Sequence, residues 1–408
     1  MAWNSTIHAS LGQGACGLPA VAVVSVPEQH HSDLEHLQAA AAWLERAQDA
    51  TPDGGVVGRY RLNVGWTSSY PETTGYLIPT LLDLADFLEE PRFRQRAERA
   101  VSFLLGLQHD NGAFPGNEVH ENTDKPSPFN TGQILNGLVV WHAATGDETA
   151  GEAARRAGDW LLSVQDEDGA FRKYFYYDQP STYSAHQTCW LAQLGVHVGK
   201  QKYLDAVDRH LDWLLTNFDD TAGWFSGMGF DAAQHEARTA FTHTIAYTIW
   251  GVLFSAQALG RADALAAAEK AAAGVRDVQT RLGRLPGLLG ANWQPAGDFC
   301  CLTGNAQMAL IWLRLYEQSG DKAWLDAAQR AIDEIKLRHP LRNANPAIAG
   351  GVPGSFPIWG DYIFGGLPNW AAKFFIDALL HKHRLEHGGS AASHAAPTGV
   401  TASSVSAT

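Results

Sequence analysis

The sequence predicts an all-α protein, an (α/α)6 toroid of six outer–inner helix hairpins. Three observations carry that expectation. Amphipathic helical segments alternate six times with almost wholly apolar ones, a self-similar period of roughly 55–65 residues. Glycines (Gly55, Gly112, Gly169, Gly223, Gly283 and Gly351) recur after the amphipathic segments, where a positive-φ turn is easiest for glycine. No run of alternating polar and apolar residues competes as a strand.

Residues 68–88 set the pattern. A polar, aromatic start (Tyr70, Pro71, Glu72, Thr73, Thr74, Tyr76) leads into a helix that is apolar on most of its circumference. Such a helix is buried on nearly all sides and lifts a polar tip. It follows an amphipathic helix at 32–48. Amphipathic and apolar segments then succeed one another at 92–108 and 129–144, 151–165 and 184–197, 201–217 and 241–259, 261–281 and 302–317, and 322–338 and 368–382. The predicted organisation is an irregular segment over 1–30, a toroid over 31–385, and a disordered Ser-, Ala-, Gly- and Thr-rich tail over 386–408.

Connections from apolar to amphipathic helices are short (LEEP, ATGDET, VGKQ, GRAD, SGDK), whereas those in the other direction are long. Long loops in a compact domain are usually functional, and here all of them meet the N-terminal ends of the inner helices. That face is where a site is expected, with helix dipoles adding positive potential.

Charge narrows the partners. A formal net charge of −13, from 43 acidic and 30 basic residues, excludes nucleic acid and an anionic membrane surface as natural partners. The scattered Cys16, Cys189, Cys300 and Cys301 make no disulfide framework. Residues 20–26 lack a basic flank and make a poor signal peptide, and no apolar run approaches a membrane span, so the expected location is cytoplasmic.

Candidate chemistry lies in the first turns of the inner helices. These offer Tyr70, Glu72 and Tyr76; Asn130 and Gln133; Tyr183, His186 and Gln187; His243 and Tyr247; Asn305 and Gln307; and Trp370 and Lys373. Thr73, Thr131, Thr242 and Thr303 stand there too, as good helix caps. His243 and Tyr247 share a helix face at i and i+4, which suits an acid and a base working on a sugar ring. Asn130, Gln187 and Asn305 could hydrogen-bond a substrate carboxylate and so acidify the adjacent C–H. Arg59 and Arg61 in the first long loop suit uronates, and Trp359 and Tyr362 in the last suit stacking on sugars. Tyr174, Tyr176 and Tyr177 are further loop aromatics.

A glycoside hydrolase usually needs two carboxylates. Glu72 would then need a loop partner such as Glu118, Glu121, Asp124, Asp231, Glu236 or Asp361. No metal and no cofactor is predicted. Cys300 and Cys301 with His243 or His186 are conceivable zinc ligands, but no CxxC or HExxH spacing supports them.

The endings LGLQHDNGAF and LSVQDEDGAF resemble the repeat of prenyltransferase and squalene-cyclase-like toroids. The aspartate-rich motif with which those cyclases protonate a polyene is missing from this sequence. PSPFNTGQILNGLVVWHAATGD (126–147) and LTGNAQMALIWLRLYEQSGDKAWLDAAQRA (302–331) are similar to the C-terminal helical domain of glucuronyl C5-epimerases and to six-hairpin carbohydrate-active enzymes. This resemblance implies that tyrosine and histidine exchange the C5 proton while polar residues neutralise the carboxylate. It implies Tyr70, His243 and Tyr247 for proton transfer, and Asn130, Asn305 and Arg61 for the carboxylate.

The leading expectation is therefore a lyase or epimerase acting on a uronate-containing poly- or oligosaccharide by C5 proton abstraction, with Tyr70, Glu72, His186, His243 and Tyr247 as catalytic candidates. The alternatives are a hydrolase of the same fold, and a terpenoid-cyclase-like or non-catalytic binding toroid.

Overall fold

A computed structural model describes residues 31–119, 125–175 and 179–388. In chain order the outer–inner pairs are α1 (Asp33–Asp49) and α2 (Pro71–Phe87), α3 (Pro91–Leu105) and α4 (Pro128–Thr145), α5 (Glu148–Val164) and α6 (Ala185–Val198). The short helix α8 (Ala232–Ala237) lies in the loop between α7 (Gln201–Thr216) and α9 (Thr242–Leu259). The series closes with α10 (Ala262–Leu282) and α11 (Leu302–Ser319), then α12 (Lys322–Lys336) and α13 (Asn369–His387). The last helix runs two residues past the expected edge of the toroid at 385.

The inner helices form a closed ring: α2, α4, α6, α9, α11 and α13 each pack on the next, and α13 returns to α2. Each outer helix lies closest to the inner helix that precedes it, and α1 pairs with α13. The tight hairpins are thus those with the short connections, and the two ends of the toroid complete the sixth pair. Burial follows the sequence pattern. In α4 every residue from Pro128 to Trp141 is buried, whereas α12 buries only Trp324, Ala327, Ala328, Ala331, Ile332 and Ile335, one stripe of its surface.

Small residues let the ring close. A Cβ on Gly137 would lie 2.1 Å from the Gly75 carbonyl oxygen of α2, and one on Gly251 would lie 2.1 Å from the Ala185 carbonyl carbon of α6. Both glycines are there because the inner backbones touch.

The repeated Gln–Gly endings are braces between outer helices. Gln108 Nε2 donates to the carbonyls of Gly112 (3.0 Å) and of Ala153 on α5 (2.9 Å). Gln165 Nε2 does the same to Gly169 (3.0 Å) and to Ala206 on α7 (2.8 Å). Gln48 reaches Gly54 and Arg96 of α3 in the same way. One amide thus fixes a turn and the next helix together.

The turn glycines at Gly112 and Gly169 have φ of 93° and 89°. In the first and last repeats the positive-φ residues are Gly54 and Gly350, not the expected Gly55 and Gly351, which pack against Phe103 and Trp43 instead.

The long loops are not structureless. Two- and three-residue strands pin them, among them β1 (Arg59–Arg61), which pairs antiparallel with both β2 (Gly65–Trp66) and the distant Gly366–Pro368 strand. Among the described residues no helix is long and apolar enough to cross a membrane.

Candidate functional site

The starts of the six inner helices face the long loops at one end of the ring. On α2, proline at the first helical position puts Glu72 in the first turn, where it is 6% exposed. The Tyr70 hydroxyl donates to its Oε2 at 2.6 Å. Burial raises the Glu72 carboxyl to about 7, with the Tyr70 hydrogen bond pulling the other way. At neutral pH this carboxyl can both take and give a proton.

Helix α9 stands opposite α2 across the ring and carries His243 and Tyr247. His243 Nδ1 lies 2.9 Å from Gln307 Oε1 on α11. The amide oxygen, as assigned, only accepts, so Nδ1 carries the proton and Nε2 the lone pair. Burial lowers this imidazole to about 4 against the Gln307 hydrogen bond, leaving a neutral base at pH 7.

His186 on α6 repeats the arrangement: its Nδ1 lies 2.9 Å from Gln133 Oε1, which also accepts the Trp190 indole N–H at 3.2 Å. Burial first, then the nearby ammonium of Lys373, holds the His186 imidazole well below its ordinary value.

Tyr247 links the two histidines, with its ring 4.0 Å from His186 and 4.3 Å from His243 between centroids. From His243 the contacts continue to Tyr362 at 5.1 Å. The Tyr362 hydroxyl accepts from the Trp370 indole at 2.7 Å, and Trp370 meets Tyr70 edge-on at 6.3 Å. A connected circuit of Tyr70, Trp370, Tyr362, His243, Tyr247 and His186 therefore joins Glu72 on one side of the ring to the histidines on the other.

Aromatic rings also meet across the axis, as a cluster that includes Tyr247. Tyr247 touches Phe129 of α4 (5.5 Å) and Phe374 of α13 (6.2 Å), each two places away around the ring. Beside this cluster lies the buried Lys373, whose Nζ is 2.6 Å from Asp377 Oδ2; the other Asp377 oxygen accepts from Thr80 at 2.8 Å. Lys373 also sits over the rings of Phe374 and Tyr76. Lys373 and Asp377 stand at i and i+4 on an apolar helix, a spacing visible in the sequence, and the fold buries them as a pair.

Other candidates take different places. Asn130 is absorbed by the start of α4, donating to the Pro115 carbonyl (3.4 Å) and accepting from Ser127 (3.1 Å). Asn305 donates to the Cys301 carbonyl (3.0 Å), while its Oδ1 is buried without a protein partner. The Gln187 side-chain amide is buried, also without a protein partner. Arg59 lies 3.8 Å from Glu118. Arg61 and Trp359 are exposed on the loop rim, away from the buried circuit.

Thr74 and Thr131 brace helix starts by accepting from the Val56 and Phe114 amides. Glu121, Asp124, Tyr176 and Tyr177 lie outside the described residues, as does Cys16. Cys301 Sγ caps α11 by accepting from the Gly304 amide, and burial pushes its thiol up to about 12. Cys189 is a core residue. Among the described residues no three His, Cys, Asp or Glu side chains form a group that could hold a metal.

With this geometry in hand, the likenesses to known proteins are informative. The profile of the squalene-hopene cyclase C-terminal domain matches residues 78–264. The chain is 26% identical over 230 residues to the squalene–hopene cyclase of Zymomonas mobilis subsp. mobilis, an alignment covering 52% of this chain and 32% of that one. It thus spans about a third of that relative's length. The profile match contains the Gln108 and Gln165 braces, so much of the likeness lies in residues that build the ring.

Among solved structures, an unsaturated glucuronyl hydrolase from Bacillus sp. GL1 aligns with TM-score 0.67 and 17% identity, covering 88% of this chain and 97% of that one. Cellobiose 2-epimerase from Bacillus thermoamylovorans aligns with TM-score 0.67 and 13% identity, covering 85% and 97%. At such identities the likeness is one of fold. The chain is a six-hairpin toroid of the architecture shared by these enzymes, with squalene-hopene-cyclase-like sequence from the inner helix of its first repeat through its fourth.

Proposed function

We propose that the protein is a carbohydrate-active enzyme that moves a proton at a carbon next to a carbonyl group of its sugar substrate. The observation that carries this reading is the placement of two proton-handling groups, Glu72 and His243, on opposed inner helices. Epimerisation and β-elimination both need a base aimed at the C–H, and epimerisation needs a second proton carrier on the other face. The proton leaves carbon, the electron pair moves onto the carbonyl oxygen as an enolate, and a proton returns to carbon or a β-substituent departs. Tyr70, Tyr247 and Tyr362 supply hydroxyls along this path. The two aligned enzymes, a hydrolase and an epimerase, support action on a carbohydrate; proton transfer at carbon, and the choice between epimerase and lyase, are part of the proposal.

The hydrolase reading has less support. Among the described loop carboxylates, Glu118 accepts from the Ser68 amide and faces Arg59, and Asp231 caps α8; Glu236 and Asp361 are exposed. A second reading, an apolar polyene as ligand, is favoured by the aromatic cluster and the cyclase-like sequence. The buried polar circuit beside that cluster argues against it.

The test is incubation with a panel of neutral and uronate oligosaccharides in D2O. Deuterium should appear at the carbon next to the carbonyl, or an unsaturated product should absorb in the ultraviolet. Glu72→Gln and His243→Gln should each lower the rate by at least ~100-fold, as expected for loss of a general acid–base group. Sugar cleavage without exchange, or wild-type exchange in both variants, would sink the proposal.

A further inference from the structure

The segments 1–30, 120–124, 176–178 and 389–408 contain no lysine or arginine, so every fixed positive charge of the chain has a described position. Facing the long loops, Arg59 is paired with Glu118, Arg172 with Asp166 and Asp168, and Arg338 with Glu334. Arg61, Lys125 and Arg238 are exposed. Lys373 alone among the lysines and arginines is buried, and Asp377 cancels it at 2.6 Å. The remaining ionisable side chains of the circuit are a carboxyl, imidazoles and phenols. Its interior therefore offers no surplus cation, and Glu72 adds a negative charge whenever it ionises. A carboxylate brought there would lose its water without gaining a counter-charge.

What the interior does offer is a mixed set of neutral polar atoms. The amide nitrogens of Gln133 and Gln307 are buried donors without a protein partner; Asn305 Oδ1 and His186 Nε2 are buried acceptors in the same condition. Buried polar groups are normally satisfied, so this concentration calls for an explanation. Four such atoms, on α4, α6 and α11, include two that give and two that take. A hydroxyl does both at once, whereas a carboxylate only accepts.

We propose that the site selects an uncharged, polyhydroxylated sugar over a uronate, with Gln133, Gln307 and Asn305 as specificity-determining residues. This rests on the carbohydrate reading above and narrows it. The carbonyl that acidifies the C–H is then the aldehyde of an opened reducing sugar instead of a uronate carboxylate.

The experiment is calorimetric titration at pH 8 with matched pairs: neutral reducing disaccharides, and the same disaccharides with glucuronic acid as the reducing residue. The neutral member should bind at least tenfold more tightly. Gln133→Leu and Gln307→Leu, each checked for an unchanged melting profile, should weaken it at least fivefold. Glu72→Gln should narrow the gap by removing the repelling charge. Equal or tighter uronate binding overturns the inference, and so does the absence of neutral-sugar binding. Deuterium exchange separates the two proposals. Neutral-sugar binding without exchange leaves this inference standing and removes the proton-transfer reading; exchange into uronates alone does the reverse.

Discussion

Glu72 shows how a single residue acquires a function from its surroundings. A carboxyl in water is ionised at pH 7, but burial brings this one to about 7, and the Tyr70 hydroxyl at 2.6 Å holds it from rising further. Tyr70→Phe removes the interaction that favours the ionised form. If Glu72 acts as the base, the limb on which activity rises with pH should move upward by about one unit, since a hydrogen bond to a charged group is worth roughly 1.5–3 kcal/mol and one unit is about 1.4 kcal/mol. The measurement is the pH profile of kcat/KM for the two proteins. A limb that stays in place, or moves down, would remove Tyr70 from that role. The sequence showed Glu72 as a carboxylate in a helix first turn. It did not show Gln307 and Gln133 on neighbouring helices fixing the tautomers of His243 and His186.

At the scale of elements, the repeat is a device for joining outer helices. Gly169 is required twice over: its φ is 89°, and a Cβ there would lie 2.2 Å from the Arg209 carbonyl oxygen on α7. Gly199, at the end of α6, has φ of 62° and nothing within 4 Å of a Cβ. Gly199→Ala should cost about 1–2 kcal/mol, the ordinary penalty of the left-handed region. Gly169→Ala should cost clearly more, because α7 must also shift. Chemical denaturation of both variants checks the ranking, and equal losses would mean that the turn does not bear on its neighbour. The motif itself was plain in LGLQHDNGAF and LSVQDEDGAF, but its partner was not. The second carbonyl of each brace comes from a different hairpin, roughly 40 to 50 positions away.

For the whole molecule, closing the ring depends on contacts between its two ends. Asp33 at the start of α1 takes Lys336 (2.6 Å) and Lys382 (2.7 Å), and His36 Nδ1 meets His339 Nδ1 at 2.9 Å while His339 Nε2 donates to the Gly350 carbonyl. Two facing ring nitrogens tolerate only one proton between them. Burial lowers His36 to about 3, and His210, His243 and His339 to about 4. In the unfolded chain these groups bind protons near 6.5. Their stabilising contribution is complete above that pH and is lost as the pH falls towards 4, by up to about 1.4 kcal/mol per pH unit for each proton. Glu72 works in the opposite direction between about 7 and its ordinary value, and offsets part of the loss. The melting temperature should thus drop steeply between pH 6.5 and 4.5, and His210→Gln should flatten the drop. A profile that is flat to pH 4.5 would contradict the neutral buried state of these histidines.

The sequence by itself determined the alternation of greasy and amphipathic helices, the toroid, and the face on which polar helix starts gather. These follow from local periodicity and from loop length, which are written along the chain. Only the tertiary structure decided which starts share an interior. It turned Asn130 to its own helix cap and left Arg61 and Trp359 on the rim, while it cancelled Lys373 with Asp377 and set Glu72 and His243 on opposed inner helices. The physical reason is that charge balance, tautomer and burial depend on neighbours from other hairpins, and the order of residues along one helix does not contain them.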